Sequence, residues 1–158
     1  MNRSWITTGS IYVESVVNPI IAGCDYGYIP DKFYFLETPS TRETMDRVKH
    51  MVPEITAAYD SQISEVDIEV TELEKENNFE GIYNHVTEAI SESCKNDAEV
   101  AVDITPGRKF MTAITFATGM KESADHVYYL YLEARARGLT YSELPRTGTH
   151  LYDFVEVM

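Results

Sequence analysis

Asp103-Ile-Thr-Pro-Gly-Arg-Lys109 places a carboxylate, a hydroxyl, an open stretch of backbone and two cations in one short polar run between two apolar ones. Upstream, Glu99-Val-Ala-Val-Asp-Ile104 has the β-branched density of a buried strand, and downstream Phe110 to Gly119 is small and apolar enough for a helix. A strand that feeds a polar turn and then a helix presents unpaired N–H groups and the positive end of the helix dipole at the turn, so an anion is expected there. Gly107 permits close backbone approach. Arg108 and Lys109 stand at a helix start, where cations are disfavoured unless an anion is present. Asp103 has two roles open to it: accepting hydrogen bonds that shape the turn, or meeting a ligand hydroxyl.

The elements that must position this turn follow from apolar runs alternating with segments of helical period, the pattern of an α/β domain with a mostly parallel sheet. Strands are expected at Ile11 to Val17, Lys32 to Glu37, Val66 to Val70, Glu99 to Ile104 and His126 to Leu132, with Leu151 to Val157 as a last edge strand. Asn18-Pro19 reads as the break after the first strand, with a short helix from Ile20 to Cys24. Met45, Val48, Met51, Val52 and Ile55 recur at helical spacing after a cap at Ser40 or Thr41, and Pro53 kinks or delimits that helix. Ile82, Val86, Ala89 and Ile90 share one face of a helix from Phe79 to Cys94, and Lys109 to Met120 forms the next. Arg135 to Gly138 and Leu144 to Gly148 read as loops. The expected architecture is therefore Rossmann-like α/β: a single domain over residues 1–158, with a mostly parallel sheet of five to six strands flanked by helices.

In such a sheet, ligands collect beyond the carboxyl ends of the strands. Three polar loops are expected there: Asn18-Pro19, Thr38-Pro39-Ser40-Thr41-Arg42 and Thr105-Pro106-Gly107-Arg108-Lys109. Pro, Ser, Thr and Asn also begin helices with no ligand present, so the first two loops carry less weight than the third. Tyr26, Tyr28, Tyr128, Tyr129 and Tyr131 could stack on a base, although aromatics in and beside strands more often fill the core.

Composition limits what the anion can be. The chain has 158 residues, with 26 acidic against 13 basic side chains and a formal charge of −13, which disfavours extended duplex nucleic acid. A small anion in a locally basic cleft remains compatible with that charge. Neither Gly-x-x-x-x-Gly-Lys-Ser/Thr nor Gly-x-Gly-x-x-Gly occurs, which disfavours nucleotide triphosphatases and nicotinamide enzymes. His50, His85, His126 and His150 are scattered, and Cys24 and Cys94 lie in no ligand spacing, so neither a metal nor another cofactor is expected. The opening residues lack the apolar core of a secretory signal and no segment reaches the ~20 apolar residues of a membrane span. With two cysteines and no such segments, a reduced, cytoplasmic protein is expected, without a membrane partner.

Asp103-Ile-Thr-Pro-Gly-Arg-Lys109-Phe-Met111 resembles the Asp-x-Thr-Gly-Gly-Thr-Lys-x-Met signature of CARF domains, the CRISPR-associated Rossmann-fold sensors. Asp103, Thr105, Gly107, Lys109 and Met111 match in register, while Pro106 and Arg108 stand where the signature has Gly and Thr, giving a stiffer and more basic loop. The resemblance extends in layout over roughly residues 10 to 135, with the one motif as its specific part. It implies binding of a cyclic oligoadenylate, most often cyclic tetra-adenylate, in a pocket across a homodimer two-fold axis, in type III CRISPR antiviral signalling. The ligand-binding residues implied are Asn18, Pro19, Thr38, Pro39, Ser40, Thr41, Thr105, Pro106, Gly107, Arg108 and Lys109. The chain has no Arg-x-x-x-x-His ribonuclease motif and no evident helix-turn-helix, so a stand-alone protein is expected. Two activities fit: a metal-independent ring nuclease with Lys109 as its catalytic residue, or a sensor or sponge acting through a partner chain. A third possibility is an α/β regulator in which Pro106-Gly107 is only a structural turn.

Overall fold

The structure is a computed structural model that describes residues 2–133 and 138–158. The chain runs β1 (Arg3–Thr8), α1 (Val13–Asp25), β2 (Lys32–Glu37), α2 (Arg42–Tyr59), β3 (Asp67–Glu72), α3 (Phe79–Lys95), β4 (Glu99–Asp103), α4 (Lys109–Lys121), β5 (His126–Leu132), β6 (Thr149–Asp153) and α5 (Phe154–Val157). The strands form one sheet in the order β3-β2-β1-β4-β5-β6. Pairings from β3 to β5 are parallel, and only β5 with β6 is antiparallel. The expected Rossmann-like α/β architecture is present.

Alternation along the central strands covers both faces, as a parallel sheet requires. Trp5, Phe33, Phe35 and Ala101 face α1 and α2, packing on Val16, Ile20, Met45, Val48 and Val52. Ile6, Tyr34, Val100 and Val102 face the other way, onto Val86, Ala89 and Ile90 of α3. Of the helix seeds read from the sequence, Ile82, Val86, Ala89 and Ile90 of α3 and Met45, Val48 and Val52 of α2 are buried, Ile55 is partly buried, and Met51 is exposed on α2. Pro53 does not end α2, which continues to Tyr59.

The first strand lies elsewhere than the sequence suggests. β1 is Arg3–Thr8, and residues 13–17 open helix α1. Val16, Val17, Ile20 and Cys24 all enter the core from α1, a helical spacing that outweighs the β propensity of the valines. In β1, polar side chains are buried because they are bonded: the Ser93 hydroxyl donates to Ser4 Oγ at 2.8 Å, and Thr7 Oγ1 lies 3.3 Å from Asp103 Oδ2.

Asn18 and Pro19 are consequently interior residues of α1, not a loop beyond a strand. Asn18 is buried and its Nδ2 donates to Leu139 O at 2.9 Å, tying α1 to the C-terminal segment. The last strand is also shorter than expected. Asp153 accepts from Val155 N, and this local cap turns residues 154–157 into a helical turn instead of more strand. Residues 146–148 of the expected Leu144 to Gly148 loop form a 3₁₀ turn; of the Arg135 to Gly138 loop, residues 135–137 lie outside the described residues.

Candidate functional site

The strand order makes β1 and β4 neighbours, while the chain moves outward from β1 to β2 and, after β3, returns to β4 on its other side. This is the topological switch point, where loops at the carboxyl ends diverge and leave a crevice. A cavity of about 340 Å³ occupies it, lined by residues 9–12 and Ser15, by Thr38, Ser40 and Thr41, by Glu76, and by residues 105–108 with Met111.

Each loop has a local reason for its shape. Asp103 is fully buried and its Oδ1 accepts from Thr105 N at 2.9 Å, an Asx turn closing the end of β4. Thr105 Oγ1 in turn accepts from Leu130 N at 2.9 Å, which anchors the turn to β5. Asp103 therefore shapes the turn, the first of the two roles considered for it. Burial pushes its carboxyl up to about 7, against the hydrogen bonds from Thr105 and Thr7 that favour the ionised form. Gly107 has φ +99°, and a Cβ there would lie 2.6 Å from Thr8 Oγ1, so glycine is needed for both its dihedral and its space. In the β2 loop, Thr41 Oγ1 accepts from Thr38 N at 2.9 Å, and Thr38 Oγ1 lies 3.2 Å from Ser40 Oγ.

The electrostatics favour an anion. α1, α2 and α4 begin at Tyr12, Thr41 and Arg108, all cavity-lining positions, and none of the three has a side-chain cap hydrogen bond. By contrast α3 is capped, Asn78 Oδ1 accepting from Gly81 N at 2.9 Å. Three helix N-termini thus converge on one cavity, none capped by its own N-cap side chain, with Tyr12 N–H donating to Ser10 Oγ at 3.1 Å and Arg42 N–H to Thr38 O at 3.0 Å. Of the nearby cations, Arg42 and Lys49 lie 3.8 and 3.5 Å from the buried Glu37 carboxylate. Arg108 reaches across the cavity to Glu76 at 2.6 Å, and the Ser40 hydroxyl donates to the same carboxylate. Lys109, the first residue of α4, is exposed and forms no ion pair among the described residues. A larger cleft, about 530 Å³, lies at the amino ends of the strands, but the one cation lining it among the described residues, Lys32, is held by Asp67 at 2.6 Å and Glu69 at 3.3 Å.

The structure brings Thr38, Ser40, Thr41, Thr105, Pro106, Gly107 and Arg108 together around the cavity. Lys109 and Pro39 are exposed beside it and do not line it, while Asn18 and Pro19 are displaced into α1. The sequence does not point to Gly9 to Tyr12, Ser15 or Glu76. Gly9-Ser10 is a turn signal directly after the true first strand, and correct placement of β1 would have exposed it. Tyr28 and Tyr128 are core residues, with the Tyr28 hydroxyl 2.8 Å from both Ser4 O and Glu99 O, which share its one proton. Among the described residues no group of three or more His, Cys, Asp or Glu side chains is placed to hold a metal, and no helix is long and apolar enough to cross a membrane.

This arrangement of sheet, helices and switch-point loops is a Rossmann-like α/β fold. No protein-family model and no curated protein matches the sequence. Solved structures do match the fold. Enterococcus italicus Csm6, bound to cyclic hexa-2′-fluoro-hexa-dAMP, superposes at TM-score 0.65 and 13% identity over 99% of this chain and 42% of its own. A type III CRISPR defence DNA nuclease activated by cyclic oligoadenylate gives TM-score 0.60 and 14% identity over 84% of this chain and 19% of its own. Can2 from Sulfobacillus thermosulfidooxidans, in complex with cyclic tetra-adenylate, gives TM-score 0.54 and 15% identity over 81% and 32%. The chain spans less than half the length of each of these three proteins.

Proposed function

We propose that the switch-point cavity binds a cyclic oligoadenylate, with cyclic tetra-adenylate as the first candidate, in type III CRISPR antiviral signalling. The observation that supports this reading is the convergence of three helix N-termini without side-chain caps and the Gly107-Arg108 turn on one polar cavity, with Lys109 exposed beside it. At about 340 Å³ the cavity sits at the small end of ligand pockets, large enough for part of a nucleotide ring and too small for four nucleotides. Two copies related by a two-fold axis would bring two such cavities together, and the exposed Lys109 pair would then face the ring from both sides.

Cleavage of the ring is the second element of the proposal. A ribose 2′-hydroxyl in line with its own phosphate attacks phosphorus and gives up its proton; the O2′–P bond forms as the P–O5′ bond breaks, and the departing O5′ takes up a proton, leaving a 2′,3′-cyclic phosphate and a 5′-hydroxyl. The protein's part is positioning and stabilisation of charge on the phosphorane, for which Lys109 is the catalytic candidate and Arg108 its neighbour. Thr38, Ser40 and Thr41 supply hydroxyls at the cavity wall for orienting sugar or phosphate.

Incubating the protein with cyclic tetra-adenylate in chelator, and following melting temperature, sedimentation and products together, tests each part. A ligand at 100 times its dissociation constant stabilises by about 2.7 kcal/mol, a shift a melting curve resolves. Linear products mark a ring nuclease, and a bound intact ring marks a sensor or sponge. No shift with rings of any size overturns the binding reading.

A further inference from the structure

Among the described residues, Glu76 is the one acidic side chain lining the cavity. It comes from the loop between β3 and α3, which is braced on both sides: Leu73 is buried against Ile82 and Met111, with its N–H on Glu37 O at 2.9 Å, and Asn78 caps α3. The loop therefore presents the carboxylate from a fixed base. Across the cavity its Oε2 pairs with Arg108 at 2.6 Å and its Oε1 accepts from the Ser40 hydroxyl. Those two donors come from the β4 and β2 loops, the walls between which an anion would sit. A carboxylate that satisfies an arginine and a hydroxyl meets the same donors that a phosphate's oxygens would take.

We propose that Glu76 is the specificity-determining residue of this cavity. Its carboxylate fills the subsite between Arg108 and Ser40, so a single phosphate gains little by displacing it, while a ligand with several phosphates does so through its contacts elsewhere. This rests on the proposed oligoadenylate reading for the identity of the multivalent ligand, and on the Glu76 contacts alone for the subsite. A monophosphate must exchange one anion for another at Arg108, whereas a ring also engages Lys109 and the helix N-termini. The cavity thereby discriminates against abundant mononucleotides and inorganic phosphate.

The test is titration calorimetry with inorganic phosphate, adenosine 5′-monophosphate and cyclic tetra-adenylate on the wild type, E76Q, E76Q/R108A and E74Q. In E76Q the affinity for both monophosphates rises tenfold or more, and the ratio of ring to monophosphate affinity narrows. R108A in that background removes the gain. E74Q, which deletes one nearby charge without touching Arg108 or Ser40, changes affinity by less than twofold. Unchanged monophosphate binding in E76Q, or an equal gain in E74Q, overturns the proposal. If E76Q shows the gain but no variant binds the ring, the subsite stands and the oligoadenylate reading falls. E76A replaces E76Q if the amide perturbs folding, with the same outcomes expected.

Discussion

The Thr8 hydroxyl donates to the Pro106 carbonyl at 3.1 Å, joining the end of β1 to the loop after β4 directly beneath Gly107. Because Gly107 sits at φ +99° with its Cβ position 2.6 Å from Thr8 Oγ1, Gly107→Ala meets both a dihedral and a steric penalty. A cost of about 1–3 kcal/mol is expected, read from urea unfolding. Thr8→Ala removes the steric part and leaves the dihedral part, so the double variant is less destabilised than the sum of the singles. Strict additivity would show that the two loops are not in contact.

That contact also shows where the sequence was legible. β2, α3, α4 and β5 were recognised to within a residue or two because their apolar runs end at local turn signals, and the β4 turn because its Asx geometry is encoded in Asp103 and Thr105 themselves. β1 was missed because Ser4, Thr7 and Thr8 look too polar for a buried strand until their partners Ser93, Asp103 and Pro106 are brought in from distant parts of the chain. The error then moved the first loop onto Asn18-Pro19. Glu76 was out of reach for a related reason: nothing in Glu72 to Glu76 says which of its carboxylates will find an arginine on another loop.

Lys109 should separate function from stability. Its side chain is exposed at the first position of α4 and makes no ion pair among the described residues, so Lys109→Ala should change unfolding free energy by no more than about 0.5 kcal/mol. On the proposed reading, the same variant loses about tenfold or more in ring binding or cleavage. Wild-type behaviour toward cyclic tetra-adenylate in a folded Lys109→Ala protein would remove Lys109 from the site.

Asp103 and His85 make opposing pH contributions through a shared neighbour, Thr7. His85 is buried with Nε2 3.2 Å from Thr7 O, which makes that nitrogen the donor, and Nδ1 accepts from Thr71 Oγ1 at 3.0 Å. Burial pushes its pKa down to about 4, only partly opposed by the bond to Thr7. An unfolded histidine titrates near ~6.5, so this contribution is complete above that pH and lost as pH falls through about 4. Asp103 runs the other way. Raised to about 7 from an unfolded value near ~3.9, it contributes stability that is complete below the unfolded value and lost as pH rises through about 7. The two slopes oppose each other between about pH 4 and 6.5. Relative to wild type, Asp103→Asn should therefore gain stability as pH rises through that window, and His85→Gln should lose it, both measured as urea midpoints against pH. Parallel curves for wild type and Asp103→Asn would show that Asp103 is ionised throughout.

His126 ties the last strand to the sheet in a way that depends on its charge. Its Nδ1 lies 2.7 Å from Asp153 Oδ2 and its Nε2 3.0 Å from Glu99 Oε1, while Arg3 Nε holds the other Glu99 oxygen at 2.8 Å. Only the imidazolium donates from both nitrogens; the neutral ring leaves one carboxylate facing a lone pair. Burial alone would lower the His126 pKa, but the hydrogen bonds to Asp153 and Glu99 outweigh it and the net shift is upward. With a raised folded value, the stabilisation is complete below the unfolded pKa of about 6.5 and is lost as pH rises through the folded one. Asp153 is both the end of β6 and the cap of α5, accepting from Val127 N and Val155 N, so losing its ring partner loosens the β5–β6 edge before the rest of the sheet. Amide exchange in residues 149–153, corrected for intrinsic base catalysis, should accelerate with rising pH while β1 and β4 stay protected. His126→Asn, which cannot carry the charge, should flatten that dependence; an unchanged profile would assign the edge's stability to the backbone ladder alone.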